Sequence, residues 1–246
     1  MTDLRADYSG NGSVIAGSLG RRALNRKPQT IEPVRRNPER TRSHILKAAM
    51  AEFCEFGFGG ARIDRVATRA GINKRMIYHY FGNKETLYTA VLEATYASIR
   101  CEEAKLDLLS CEPEDAIGRL VQYSFDHHSK HPEFIRLLND ENLHAGKNVR
   151  RSENIPKMNT RLLRELAEVL RHGARRGVFR NDVDPLQLYI SIAGLGYFYF
   201  SNNYTLSAAF GRDLATPDAL DARRAHMVAV VLGYLRPDQT PVHRRA

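Results

Sequence analysis

Between Arg62 and Lys84 the chain sets out nine side chains able to hold a nucleic acid: Arg62, Asn73, Lys74, Arg75, Met76, Tyr78, His79, Tyr80 and Lys84. A helix that reads DNA delivers polar and basic groups to base edges from its N-terminal residues. Asn73, Lys74, Arg75 and Met76 stand at such a start. Tyr78, His79 and Tyr80 follow, with hydroxyl and imidazole groups that can donate to phosphate oxygens. Lys84 opens the next helix, where free backbone N–H groups and the helix dipole favour an anion. Arg62, before the preceding helix, is placed similarly. The competing reading of Lys74, Arg75 and Lys84 is a solvated basic face, and that of Tyr78 is packing.

The elements around these residues follow from periodicity. Ile45, Leu46, Ala49, Met50, Phe53 and Phe56 recur at helical spacing from Pro38 onward, and Gly57, Gly59 and Gly60 end that helix. Ile63, Val66 and Ala67 give the inward face of a short second helix that Gly71 stops. Asn73 suits the N-cap of a third helix, Lys74 to Tyr80, with Ile77 and Phe81 turned back into a small core. Gly82–Asn83 breaks the chain before a long helix from Lys84. Two short helices joined by a tight glycine turn, behind a longer one, outline a helix-turn-helix unit.

The stretch from Phe56 to Leu87 resembles the TetR (tetracycline-repressor) family of transcriptional regulators over roughly residues 40–90. The resemblance rests on Phe56–Gly57–Phe58, Gly60, Val66–Ala67, Ala70–Gly71–Ile72, Lys74, Tyr78–His79–Tyr80–Phe81, Lys84–Glu85 and Leu87. It implies a homodimer whose two recognition helices enter successive major grooves of a palindromic operator in double-stranded DNA, with half-sites ~34–36 Å apart. It further implies a ligand-responsive regulator, most often a repressor, released or retained by a small-molecule effector. Two positions depart from the family pattern. Ala61 stands where a Thr or Ser hydroxyl is usual, which leaves the backbone contact there to Arg62. Arg75 and Met76 replace small residues, so a relative's operator does not transfer.

The remaining chain also reads as helices: Lys84 to about Leu109, Pro113 to near His131, Pro132 to about His144, Ile155 to about Arg176, Pro185 to about Ser201 and Pro217 to about Leu235. The expected fold is all-α with about nine helices. Residues 1–37 are expected to be a disordered basic arm, 38–84 the DNA-binding domain, 85–237 an effector-binding and dimerisation domain, and 238–246 a flexible tail. The stretch 185–201 is apolar nearly all round and, with 217–235, suits a dimer interface. Phe134, Leu137, Leu138 and Glu141 share one stripe, and His144 lies a turn further on. An inward acid needs a partner. Either Glu141 or His144 orients a small molecule in an effector pocket, or the acid is satisfied by an internal salt bridge or hydrogen bond. Tyr123, His127, Tyr197 and Phe198 are further candidates for the pocket wall. His127, His128 and His131 lack the convergent ligand set of a metal site, so neither metal nor cofactor is expected.

Composition bounds these readings. Hydrophobic residues make up 43% and charged residues 26% of the 246, as in a folded chain. Residues 1–37 carry a net +4, residues 38–92 another +4 and the rest only +1, so the formal excess of +9 lies almost wholly in front. A basic front on a neutral body suits a polyanion-binding module joined to something with another task. No apolar run is long enough to span a membrane, and the N-terminus lacks the apolar core of a secretory signal. Three cysteines without metal-ligand spacing fit a reducing cytosol. An enzyme is not expected, for want of a Ser/His/Asp arrangement, a phosphate-binding loop or paired carboxylates. The alternatives carried forward are a helical-bundle enzyme and a structural DNA binder without a ligand.

Overall fold

The computed structural model describes residues 38–237; the arm expected over 1–37 and the tail over 238–246 lie outside them. The described residues form ten α-helices and no strand: α1 (Pro38–Gly60), α2 (Ile63–Ala70), α3 (Lys74–Phe81), α4 (Lys84–Ala104), α5 (Pro113–Lys130), α6 (Pro132–Leu143), α7 (Asn154–Arg175), α8 (Pro185–Ser201), α9 (Asn203–Phe210) and α10 (Pro217–Leu235). The all-α expectation holds, with one helix more than the nine expected. The addition is α9, which has no side-chain cap at Asn202 and stops at Gly211 in the left-handed region. Its weak start signal explains why periodicity passed over it.

α4 also ends earlier than its apolar pattern implies. The chain leaves the helix after Ala104, Asp107 adopts φ 46°, and a single 3-10 turn over Leu108–Ser110 follows. That break lets Leu108 turn into the body, where it is buried.

Two apolar cores organise the molecule. The first joins Ile45, Ala49 and Phe53 of α1, Val66 and Ala67 of α2, Ile77 and Phe81 of α3 and Leu87, Tyr88 and Val91 of α4; Leu137 of α6 and Ile155 of α7 reach into it. The second gathers Leu120, Val121 and Phe125 of α5, Leu166 and Val169 of α7, Leu188 and Ile192 of α8 and Met227 and Val231 of α10. α4 and α6 therefore serve both the head, formed by α1–α3, and the body.

Candidate nucleic-acid interface and effector cavity

The head is built on capping chemistry. Gly71 takes φ 62°, and the Ile72 N–H donates to the Ala67 carbonyl (3.1 Å), which closes α2 tightly enough to start α3 three residues later. The Asn73 side chain caps α3 by accepting the Arg75 N–H at 2.9 Å. Asn83 caps α4 by accepting the Thr86 N–H at 2.8 Å. At α2 the missing Ala61 hydroxyl is replaced from elsewhere. Glu52, wholly buried on α1, accepts the Arg62 N–H at 3.0 Å and Arg65 Nε at 2.6 Å. The Arg62 side chain stays exposed. A lone acid in the apolar face of α1 was the available sequence signal for Glu52.

Along α3, Asn73, Lys74, Arg75, Tyr78 and His79 are exposed on one rim, whereas Met76 and Tyr80 are half-buried. Lys74 Nζ lies 2.8 Å from Asp64 Oδ1 of α2, and that hydrogen bond raises the lysine pKa. Lys84 is turned inward: its ammonium sits 4.9 Å over the Phe58 ring and 3.5 Å from the Gly59 carbonyl, and desolvation lowers its pKa. A phosphate approaching the start of α4 would compete with a ring and a carbonyl for the half-buried ammonium. Tyr78 presents its ring to solvent, so packing does not account for it.

Below the head, the body forms a cavity of about 490 Å³ between α4, α5, α6, α7 and α8. Five of the nine pocket candidates read from the sequence line it: Tyr123 and His127 of α5, Phe134 and Leu138 of α6, and Tyr197 of α8. The other four lie elsewhere, each for an identifiable reason. Leu137 points to the opposite side of α6 and belongs to the core beneath the head. Glu141, also buried, accepts the N–H groups of Asn148 (2.6 Å) and Val149 (2.9 Å) and Asn148 Nδ2 (3.1 Å), so it holds the loop after α6 by an internal hydrogen-bond set. His144 is exposed at the end of α6, its Nδ1 2.8 Å from the Asp140 carbonyl and its ring edge-on to Phe58. Phe198 stands 57% exposed on the outer row of α8, one residue from the row that carries Tyr189, Ala193 and Tyr197 to the cavity.

Sequence reasoning missed Tyr96, Arg100 and Glu103 of α4, His128 of α5, Asn159 of α7 and Tyr189 of α8, all of which line the cavity. A legible signal existed on α4, where Glu103 continues the buried row of Thr95 and Ile99 at a spacing of four. Burial depresses His127 and His128 to about 4, with His131 and His127 respectively adding repulsion, so both rings are neutral at pH 7. Among the described residues, no three His, Cys, Asp or Glu side chains are grouped to hold a metal ion. No helix among them is long and apolar enough to cross a membrane.

α6 separates the two sites. Phe134, Leu138 and Asn142 border the cavity, and Tyr197 donates to Asn139. On the head side, Asp140 Oδ2 accepts the Phe58 N–H and the Tyr88 hydroxyl, each at 3.0 Å. Gly57 is required at that junction, since it holds φ 64° and a Cβ there would fall 2.6 Å from Asp140 Oδ1.

Comparison with known proteins agrees with this arrangement. Residues 45–91 match the family model "Bacterial regulatory proteins, tetR family", and residues 113–231 match "Tetracyclin repressor-like, C-terminal domain". The chain is 44% identical over 181 residues to the HTH-type transcriptional repressor NicS of Pseudomonas putida, covering 74% of this chain and 85% of that one. It is 35% identical over 162 residues to the HTH-type transcriptional repressor SCO4008 of Streptomyces coelicolor, covering 64% and 78%. The fold is shared with the transcriptional regulator FadR of Bacillus subtilis, solved with stearoyl-CoA, at TM-score 0.59 and 16% identity over 79% of this chain and 99% of that one. Helix-turn-helix head, helical body and repressor relatives matched over most of their length together identify the chain as a member of the TetR family of transcriptional regulators.

Proposed function

We propose that this regulator is a cytoplasmic repressor that binds a palindromic DNA operator as a homodimer and is released or retained by a small molecule in the α4–α8 cavity. Residues 38–84 read DNA and residues 85–237 hold the effector and the partner subunit. Asn73, Lys74, Arg75 and Met76 meet base edges; Arg62, Tyr78, His79, Tyr80 and Lys84 hold phosphates. Dimerisation buries α8 and α10, which leave Leu186, Ile190 and Phe198, and Val230 and Tyr234, exposed in water.

The observation that carries this reading is the double role of α6, with a cavity on one side and the Asp140 anchor of the head on the other. A ligand that binds one setting of α6 better than another shifts the population of head positions, and the coupling is reciprocal. The test is selection of binding sites from random duplexes by the purified full chain. Recovery of a two-fold palindrome supports the proposal. Uniform binding of all sequences would mark a structural DNA binder, and no binding at all would remove the regulator.

A further inference from the structure

The cavity is chemically asymmetric. Tyr96, Tyr123, Phe134, Tyr189 and Tyr197 supply aromatic walls, and the one cation among its lining residues is Arg100. Arg100 gives one amino group to Glu103 and the other to the Tyr189 oxygen at 2.5 Å, and its Nε has no hydrogen-bond partner among the described residues. His127 Nε2, His128 Nδ1 and Asn159 Oδ1 are likewise buried and unsatisfied. Four such orphans around one hollow are unusual, because buried polar atoms ordinarily find partners. A guanidinium Nε can only donate, so a ligand that satisfies it must bring an acceptor.

We infer that the effector is a small aromatic monoacid, its ring held among the tyrosines and its acidic group on Arg100, and that Glu103 carries a proton once the acid is bound. The inference rests on the effector reading of the cavity. The proton balance follows from charge. Arg100 and Glu103 neutralise each other in the empty cavity, and a second anion beside Glu103 would leave two negative charges on one guanidinium. Protonation of Glu103 removes that conflict. The charged and titratable groups around Glu103 are Arg100 on its own helix, Tyr123 and His127 of α5, Arg161 and Glu165 of α7 and Tyr189 of α8. Burial pushes the Glu103 carboxyl up to about 7 despite Arg100, so the proton is gained near neutrality at little cost. His127 and His128, neutral at that pH, leave the positive charge to Arg100. An amine would meet the guanidinium with like charge.

The experiment is calorimetric titration of the full-length protein with benzoate, 4-hydroxybenzoate, phenylacetate, cinnamate, 2-naphthoate and indole-3-acetate, each beside its carboxamide, and with decanoate and stearoyl-CoA. At least one aromatic acid is expected to saturate the protein, with its carboxamide at least about tenfold weaker. That acid weakens about fivefold from pH 7 to pH 8, and buffers of differing ionisation enthalpy report the uptake of about half a proton at pH 7 and nearly one at pH 8. Glu103→Gln, which fixes the uncharged form, is expected to flatten the pH profile and tighten binding at pH 8. Arg100→Gln is expected to abolish the preference for acid over amide. Should that variant fail to fold, Glu103→Gln still decides: a salt bridge with a purely structural role predicts no tightening. Carboxamides binding as well as acids, binding by decanoate or stearoyl-CoA alone, or silence across the whole panel would each overturn the inference. Site selection on the same preparation separates the two levels, since a silent panel with intact DNA selectivity removes only the ligand class.

Discussion

At the residue scale the basic side chains of the head differ in how far they are already engaged within the protein. Arg75 is exposed on α3, whereas Lys84 rests over Phe58. Arg75→Ala should cost about 1–3 kcal/mol on the preferred site and relax the preference at particular base pairs, while Lys84→Ala should weaken all duplexes alike. Competition binding with a panel of point-mutated sites checks this, and equal losses on preferred and random DNA for both variants would contradict it. In the body, His127 and His128 titrate near 4 when folded and near 6.5 when unfolded. Their folded values are depressed, so the stability gained by keeping them neutral is complete above pH 6.5 and is lost as pH falls towards 4. Urea unfolding at pH 7 and pH 5 should show this loss, and His128→Gln should shrink it; a wild-type stability unchanged between the two values would count against buried neutral rings. The exposed basic rim of α3 was legible in the sequence because a head so small leaves few places for basic residues except its surface. The cavity was half legible. α5 and α8 announce their aromatics, but Arg100 and Glu103 look on paper like any i, i+3 surface pair, and only the crossing of α4 by α5, α7 and α8 buries them.

At the element scale, caps and glycines fix the helix order. Helix starts followed closely from the prolines that open α5, α6, α8 and α10 and from the cap at Asn73, and the structure adds side-chain caps at Asn83, Asp184 and Thr216. α9 and the early end of α4 were not legible, because α9 starts without a side-chain cap and tertiary burial of Leu108 decides the second. The α2 start depends on Glu52, which serves a backbone N–H and two arginines from a fully buried position. Glu52→Ala should destabilise the protein by about 2–4 kcal/mol, more than the loss of an ordinary cap, because Arg65 loses its carboxylate, Arg69 keeps only Glu55 and a buried hole is left on α1. Thermal unfolding measures it, and a cost within error of zero would show that α2 is held by packing alone. Gly173 is equally constrained, since an added Cβ would meet the Phe179 ring at 2.0 Å, whereas Gly194 has open space around it. Gly173→Ala should therefore cost about 1–3 kcal/mol and Gly194→Ala far less.

At the scale of the whole molecule, charge and connectivity decide behaviour. The first 92 residues carry nearly all of the +9 excess. Operator affinity should accordingly fall by about 10³ or more between about 50 and 200 mM salt, and a flat salt dependence would exclude phosphate contacts as the main source of binding. The head meets the body through α4 and α6, and the Asp140 carboxylate holds Phe58 and Tyr88 at that seam. Asp140→Ala should leave effector affinity nearly unchanged while reducing the effect of effector on DNA affinity, because the two sites then titrate more independently. The measurement that bears most directly on the regulator as a symmetric pair is sedimentation of the protein on duplexes carrying one or both half-sites of its selected operator. Two protomers should load together on the full palindrome, with binding to a single half-site at least about an order of magnitude weaker. One protomer per duplex, or equal affinity for one and two half-sites, would contradict it.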